Sequence, residues 1–494
     1  RSGIQASILA TVLVALFMLV YYAYCGLIAN VALLLDLLLL PAGLIMASSI
    51  LGVFVKDTAI AKRVLDLPVL TMPGIAGIVL SLGMAVDANV LIFERMREEF
   101  ALGKSARAAV AAGYDRAFLA IFDSNITTLL TAVILFIFGA GPIRGFAITL
   151  TAGIIISMFT ALVVTRLIFN ATVPENRTRP YKMLQFMKNS NVDFLRWGKP
   201  TGYTSLAIIV VTLAIFFARG LKDPASVMAV DFTGGVSMTF TYEQKADIGT
   251  VRKAVTDAVK NDATIQYQST LDGSGNLLLV KTSVTQIGEE SASKVIQKAL
   301  AKELPESRFT LAGEEDVGSE IGGDLKLSAA KAILFSLIGI LIYVSLRFEF
   351  GFALGGVVAL AHDAFITLGL YSLFGRQVSL TVVAALLTIV GYSINDTIVI
   401  FDRIREDMRK DVKMPFPELC NRAINQTLSR TILTSLSTLI ATVTLFIFGG
   451  GSINDFALAM MIGLIAGTYS TIFIATPVML AWYRGRRPAF VTAK

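Results

Sequence analysis

The sequence predicts a polytopic α-helical membrane protein. It is expected to hold two pseudo-twofold-related helix bundles, about eleven spans in all, plus one extracytoplasmic ferredoxin-like α+β domain. Three observations predict this. Of 494 residues, 55% are hydrophobic and 16% charged, with a mean hydropathy of +0.71; a soluble chain of this size needs more charge to cover its surface. The stretch Gly83 to Glu99, GMAVDANVLIFERMREE, returns altered as Gly391 to Asp407, GYSINDTIVIFDRIRED. Residues 220–326 hold no spanning run and are punctuated into short strands and helices.

The spans come first. About 20 apolar residues cross the hydrocarbon core as a helix. Such runs fall at about 5–24, 27–54, 71–93, 117–139, 143–170, 203–219, 328–346, 352–374, 379–401, 428–449 and 453–483. Basic residues beside them set the orientation. Arg95, Arg97, Lys104, Arg107 and Arg116 follow the third span, and Arg177 to Lys199 precede the sixth. Arg403 to Arg422 follow the ninth, and Arg484, Arg486 and Arg487 the last. Alternation puts all four groups on one face, which the positive-inside rule assigns to the cytoplasm. The segment Lys56 to Leu67, with Lys56, Lys62 and Arg63, then falls outside and breaks the rule mildly. The chain opens with Arg1-Ser-Gly, without an initiator Met or signal peptide, as expected of a fragment.

Residues 220–326 carry 11 basic and 16 acidic side chains, net −5, against +7 for the whole chain. An acidic outer domain with basic inner loops fits that split, and nucleic-acid binding does not. Val236 to Tyr242 reads as a strand and Ile248 to Val259 as a helix opened by Asp247. Thr264 to Ser269 and Leu277 to Lys281 read as strands joined through the turn Asp272 to Asn276. Ser291 to Leu304 reads as a second helix and Arg308 to Leu311 as a last strand. This β-α-β-β-α-β order is that of a ferredoxin-like sandwich.

A basic linker, Pro174 to Pro200, joins halves that repeat one another. Phe93-Glu-Arg-Met-Arg-Glu98 matches Phe401-Asp-Arg-Ile-Arg-Glu406 at an offset of 308. LFIFG at 135–139 matches 445–449, and Phe146-Ala147 matches Phe456-Ala457, at 310. A parallel repeat predicts two bundles about an axis along the membrane normal.

The repeated stretch places Asp87 and Asn89 in the third span and Asn395, Asp396 and Thr397 in the ninth. A carboxylate in hydrocarbon costs about 2.5–3.5 kcal/mol on insertion scales, so it is read as functional by default. At the 308 offset Asp87 aligns with Asn395, so the two acids differ by one position, about 100° around a helix. They are expected to have different roles. Both lie about two turns, roughly 10–14 Å, from the inner charged cluster. Arg430, in the tenth span, is the expected counter-ion; it stays charged, so a moving proton must reside on an acid or a water. The competing reading is structural ion pairs between helices. Asp36, His362 and Asp363 stand between functional and structural readings, and Asp36 falls near the other two once a gap is allowed. Asp123 is expected near the inner surface and solvated, beside Asn125, Thr127 and Thr128. Asn454 and Asp455 are expected to cap a helix at the outer end. Lys104 to Ala112 reads as an interfacial helix or a solvated loop. Glycines such as Gly77, Gly355 and Gly356 allow close helix packing.

One histidine and two scattered cysteines, Cys25 and Cys420, exclude a metal cluster. Both cysteines fall at the expected cytoplasmic face, where thiols stay reduced. No catalytic residue, metal or cofactor is expected. The chain has no G-x-x-x-x-G-K-[ST] loop and no visible nucleophile–base arrangement, so it is not expected to be an enzyme.

These motifs resemble the bacterial SecDF protein-export membrane proteins, with SecD and SecF halves fused. The SecD-like signature is Leu70-Thr-Met-Pro-Gly-Ile-Ala-Gly77, Val86-Asp-Ala-Asn-Val90 and Phe93-Glu-Arg95, supported by Asp123-Ser-Asn-Ile-Thr-Thr128. The SecF-like signature is Val230-Asp-Phe-Thr-Gly-Gly235, Ala361-His-Asp363, Tyr392-Ser-Ile-Asn-Asp-Thr397 and Ser429-Arg-Thr431. The resemblance covers nearly the whole chain and implies membership of the resistance-nodulation-division superfamily. It divides the chain into a SecD-like bundle at 1–173, a cytoplasmic linker at 174–200, a first SecF-like helix at 201–219, the outer domain at 220–326 and a SecF-like bundle at 327–494. SecDF-like proteins usually have twelve spans and a large first outer domain; that first helix and domain are missing from this sequence.

The implied function is a proton-driven motor that draws preproteins outward after the SecYEG channel, in the bacterial inner membrane. The implied proton pathway is Asp87, Asp396 and Arg430, with Asn89, Asn395, Thr397, Asp123, Asp363 and His362 as supporting polar groups. The coupling ion is the proton, with sodium as the alternative. The implied partners are SecYEG, SecA, YajC, YidC, an unfolded preprotein and lipid, and no nucleic acid. Two rival readings stay open: a proton-coupled exporter of lipids or small molecules of the same superfamily, and a scaffold or insertase subunit that moves no protons.

Overall fold

The structure, a computed structural model, describes residues 2–53, 72–139, 142–174, 181–185, 187, 190–260, 263–269, 276–288, 290–317 and 319–488. The Lys56 to Leu67 segment, the turn at 272–275 and part of the basic linker lie outside the described residues.

Among the described residues, eleven helices are long and apolar enough to cross a membrane. In the first half they are α1 (Ser2–Tyr22), α2 (Tyr24–Gly52), α3 (Met72–Ala101), α4 (Ala106–Phe138) and α5 (Pro142–Phe159). The last continues through a π-helical turn, Thr160–Val164, into α6 (Thr165–Thr172). Then come α7 (Phe194–Lys222) and a single turn, α8 (Val230–Thr233), at the root of the outer domain. That domain holds β1 (Gly235–Thr241), α9 (Ile248–Val259), β2 (Ala263–Ser269), β3 (Asn276–Thr282), a two-residue hairpin of β4 (Gln286–Ile287) and β5 (Glu290–Ser291), α10 (Ala292–Glu303) and β6 (Thr310–Val317). The second half contains α11 (Ser319–Arg347), α12 (Phe350–Leu373), α13 (Leu380–Lys410), α14 (Phe416–Phe448) and α15 (Gly451–Ser470). A second π-helical turn, Thr471–Ala475, leads from α15 into α16 (Thr476–Trp482).

The outer sheet runs β2-β3-β1-β6 with every neighbour antiparallel, the ferredoxin-like order. Asp247 caps α9 as expected, its carboxylate accepting from Thr250 N at 3.0 Å. The last strand is longer than its apolar core suggests, because residues 313–317, three of them acidic, pair with β1 through their backbone beyond a bulge at Ala312. Met238, Phe240, Leu278, Val280, Ile296 and Leu300 form this domain's own core.

In the membrane the halves are interleaved. α1 packs on α14 of the other half and α11 on α4; α3 likewise packs on α14, and α13 on α4. Repeat mates meet on the axis: the Phe146 and Phe456 rings lie 5.6 Å apart between centroids. Gly139 and Gly449 have the same surroundings. A methyl at Gly139 would fall 2.3 Å from Leu135 O and 2.7 Å from Ile143 Cγ2; at Gly449 it would fall 2.3 Å from Leu445 O and 2.6 Å from Ile453 Cγ2. Gly139→Ala and Gly449→Ala are therefore expected to destabilise alike, by about 1–3 kcal/mol each. Thermal unfolding in detergent checks this; clearly unequal losses would contradict a shared turn.

Three expectations are corrected. Lys104 to Ala112 is neither an interfacial helix nor a loop: from Ala106 it is the first part of α4, which runs on into the membrane. Ala106 and Ala109 are buried, and the helix lies close on α3 at Gly113, where a methyl would meet Met96 Cγ at 2.5 Å. Asp123 is buried, not solvated, because α11 covers it (below). Asn454 and Asp455 do not cap α15, whose N-cap is Gly450. Arg376 claims both instead, Nη1 donating to Asp455 Oδ1 at 2.8 Å and Nη2 to Asn454 Oδ1 at 3.1 Å.

Candidate functional site

Three helices carry the charged centre: α3 presents Asp87, α13 presents Asp396 and α14 presents Arg430. All three side chains lie between the halves and interact electrostatically with one another. Asp396 and Arg430 are buried, 6% and 8% exposed. Asp87 is half-buried, with Oδ1 sealed and without a hydrogen-bond partner. Arg430 Nε and Nη1 are sealed and unpartnered as well. Asp396 Oδ1 accepts from Thr434 Oγ1 at 3.3 Å. Buried polar groups are normally satisfied, so idle donors beside an idle acceptor mark a site with unused bonding capacity.

The pseudo-symmetry explains why this centre is one-sided. At the 310 offset Arg430 matches Ala120, and at 308 Asp396 matches Ala88. Only one half supplies the guanidinium. Asn395, the match of Asp87, turns elsewhere: its amide donates to Ser124 O at 2.9 Å and Gly391 O at 3.2 Å, clamping α13 to α4. Thr128 Oγ1 also donates to Gly391 O, at 3.0 Å. Tyr392, one turn from Asp396, bonds Thr438 Oγ1 at 2.9 Å and Thr434 O at 3.1 Å.

The remaining predicted groups separate into places of their own. Asn89 is buried and donates back to Ala85 O at 3.2 Å. Thr397 pairs with Thr471 at 3.1 Å. Asp123 accepts from Arg347 Nε at 2.6 Å and Tyr343 OH at 3.0 Å, away from the central charges. His362 Nδ1 lies 2.9 Å from Asp363 Oδ1, and Asp363 Oδ2 accepts from Ser393 Oγ at 2.6 Å and Ser470 Oγ at 2.8 Å. Asp36 accepts from Thr160 Oγ1 at 2.6 Å.

Sequence reasoning aligned the inner charged runs but missed that they interlock. Arg95 reaches its own Glu98 at 2.9 Å and the other half's Glu406 at 3.4 Å. Arg403, its repeat mate, reaches Glu406 at 3.3 Å and Glu98 at 3.5 Å. This reciprocal ring ties the halves at the inner face. The identical i, i+3 spacing of Arg and Glu in both copies was the available signal.

On the outer face a joint links the soluble domain to α13. Ala229 N donates to Val378 O and Val378 N to Val227 O, each at 2.8 Å. Leu380 N, the first residue of α13, donates to Asp231 Oδ2 at 2.8 Å. Gln377 bonds Lys281 and the Ala225 carbonyl. Burial pushes the Asp231 carboxyl above its ordinary range, against the pull of the Leu380 N–H and of Lys281. A carboxyl raised on folding binds its proton more tightly in the folded state, so stability falls as pH rises through the folded value. Asp231→Asn keeps an acceptor for Leu380 and removes the charge. Its melting temperature should gain on wild type from pH 5 to pH 8, measured by thermal unfolding in detergent; a parallel pH profile would contradict this.

Comparison with known proteins follows from this geometry. The family described as "Protein export membrane protein SecD/SecF, C-terminal" matches residues 1–174 and 296–485. The chain is 36% identical to the protein translocase subunit SecDF of Thermus thermophilus, over 83% of this chain and 54% of that protein. It is 34% identical to SecDF of Bacillus subtilis, over 97% of this chain and 64% of that protein. It is 42% identical to SecF of Calditerrivibrio nitroreducens, over 60% of this chain and 95% of that protein. The crystal structure of Thermus SecDF, described as a translocon-associated membrane protein, superposes with a TM-score of 0.83 at 34% identity, over 98% of this chain and 62% of that one. The chain thus spans between about half and two thirds of the length of these SecDF relatives.

Proposed function

The chain belongs to the SecD/SecF family of protein-export membrane proteins, and on that premise we propose that it is the proton-motive-force-driven membrane part of the Sec export machinery. It would promote preprotein translocation on the outer side of the inner membrane, beside the SecYEG channel, with SecA, YajC and YidC as further partners. The observation that carries this reading is the convergence of Asp87, Asp396 and a lone Arg430 between the two halves, with unsatisfied polar atoms on both sides.

A proton moving down the field releases about 2.3 kcal/mol per 100 mV. Neutralising one acid removes its attraction to Arg430 and shifts the population between two arrangements of the bundles. α13 runs from Asp396 to Leu380, 16 residues or about 24 Å, and ends on the outer joint at Asp231. A tilt of α13 would therefore reach the outer domain directly.

The test is ion-selective conductance of the reconstituted chain. Wild type should carry protons in preference to sodium, and Arg430→Ala should carry at least tenfold fewer. A sodium-selective current, or an unaltered proton current in Arg430→Ala, would overturn the proposal.

A further inference from the structure

Asp363 is fully enclosed among the helices of the membrane region. It is 0% exposed and takes hydroxyl donors from two other helices, Ser393 of α13 and Ser470 of α15. Room for it is left by Gly467, where a methyl would fall 2.9 Å from Ser393 Oγ and 3.5 Å from Asp363 Oδ2. Its other oxygen faces His362 Nδ1, so one proton can sit on either member of the pair. The far ring nitrogen, Nε2, is buried and unpartnered. Tyr469 stacks on the ring at 5.8 Å, and Asp396 stands on the neighbouring α13, three residues beyond Ser393.

A water-sized cavity of about 10 Å³ opens beside Asp396, and Ser393 joins it to Asp363. Ser393, Asp396, Tyr392, Ser435 and Thr468 line it. Ser393 donates to Asp363 and keeps its lone pairs free to accept from a water in that space, which can in turn donate to Asp396.

The other half supplies an internal comparison. Asp36 is held by Thr160, the 310-offset match of Ser470, beside a cavity of about 10 Å³ lined by Asp36, Ser81, Ala85 and Gly153. Ser81, Ala85 and Gly153 match Ile389, Ser393 and Gly463, three residues lining the second cavity. Yet Ala85 stands where the relay needs Ser393, and Leu35 precedes Asp36 where His362 precedes Asp363. The framework is duplicated, and the connecting hydroxyl and imidazole are present in one copy alone.

We infer that His362 and Asp363 form a second proton-binding site, joined to Asp396 through the Ser393 hydroxyl and the cavity beside it, and that Asp36 has no such link. This rests on the proton-transport reading for its role in the cycle. Protonation at one acid then alters proton affinity at the other, and a proton exchanged with Asp396 waits on the His362–Asp363 pair.

Because the chain has one histidine, ring NMR of His362 reports the site without overlap. In the reconstituted chain, Asp396→Asn should shift the His362 ring resonances at fixed pH, and Ser393→Ala should abolish that response. Proton conductance should fall at least tenfold in Asp363→Asn and in Ser393→Ala, and change less than twofold in Asp36→Asn. Full conductance in Ser393→Ala, alongside loss in Asp396→Asn, would overturn the inference and leave the parent reading intact. If wild type itself conducts no protons, the parent reading fails, and the NMR coupling alone decides: a Ser393-dependent shift sustains the site, and unmoved ring resonances refute it.

Discussion

Vesicles carrying Asp396→Asn or Asp87→Asn are expected to conduct protons at less than a tenth of the wild-type rate, with folding and insertion intact. Asn has nearly the shape of Asp and cannot ionise, so the change removes the proposed proton carrier and little else. It also relieves the cost of a buried charge, since a neutral amide is far cheaper to bury than a carboxylate. Neither variant should lose stability. Asp396 Oδ1 accepts from Thr434, and Asn can keep that bond through its carbonyl. Asp87 Oδ1 has no partner to lose. Both should therefore express as wild type and fail in transport. A tenfold loss corresponds to about 1.4 kcal/mol of barrier. Wild-type conductance in both would remove these acids from the pathway; loss in one alone would reduce the coupled pair to a single carrier.

The second large effect concerns stability. Arg347→Met is expected to cost about 3–5 kcal/mol, because it leaves the Asp123 carboxylate buried with Tyr343 as its remaining partner. The pair spans the halves, α4 to α11, at 2.6 Å, with the Asp123 side chain 7% and that of Arg347 26% exposed. Removing one member of a buried pair strands the other; removing both does not. The double variant Asp123→Asn/Arg347→Met should recover most of the loss. Thermal unfolding in detergent measures both, and an unaltered single variant would mean that water already reaches Asp123.

Much of the fold could be read from composition and period. Helix existence followed from apolar length, since lipid offers the backbone no other partner. Helix ends were less legible. The charged run after Asp87 continues α3 to Ala101, and α14 begins at Phe416, well before its apolar run. Polar residues can extend a helix beyond the hydrocarbon, and hydropathy registers only the part inside. The outer domain was legible because alternation and turn residues mark strands locally. The candidate site was legible as three residues in matched repeats, because an intramembrane charge is conspicuous on a single helix. Asp123 and Asn454–Asp455 were misread because their partners, Arg347 and Arg376, lie 224 and about 79 residues away.

The sequence by itself determined the eleven spans, the duplicated halves, the inward choice of Asp87, Asp396 and Arg430 as exceptional residues, and the resemblance to a protein-export family. Each is a local or periodic property, written in residue type and spacing. Only the tertiary structure decided which charges meet. It crossed Arg95 with Glu406 and Arg403 with Glu98, covered Asp123 with α11, and set Ser393 between Asp363 and the cavity that reaches Asp396. Pairing across the bundle depends on how helices rotate and pack over hundreds of residues of chain, and that rotation is settled by close contacts such as those at Gly463 and Gly467, which no single helix records.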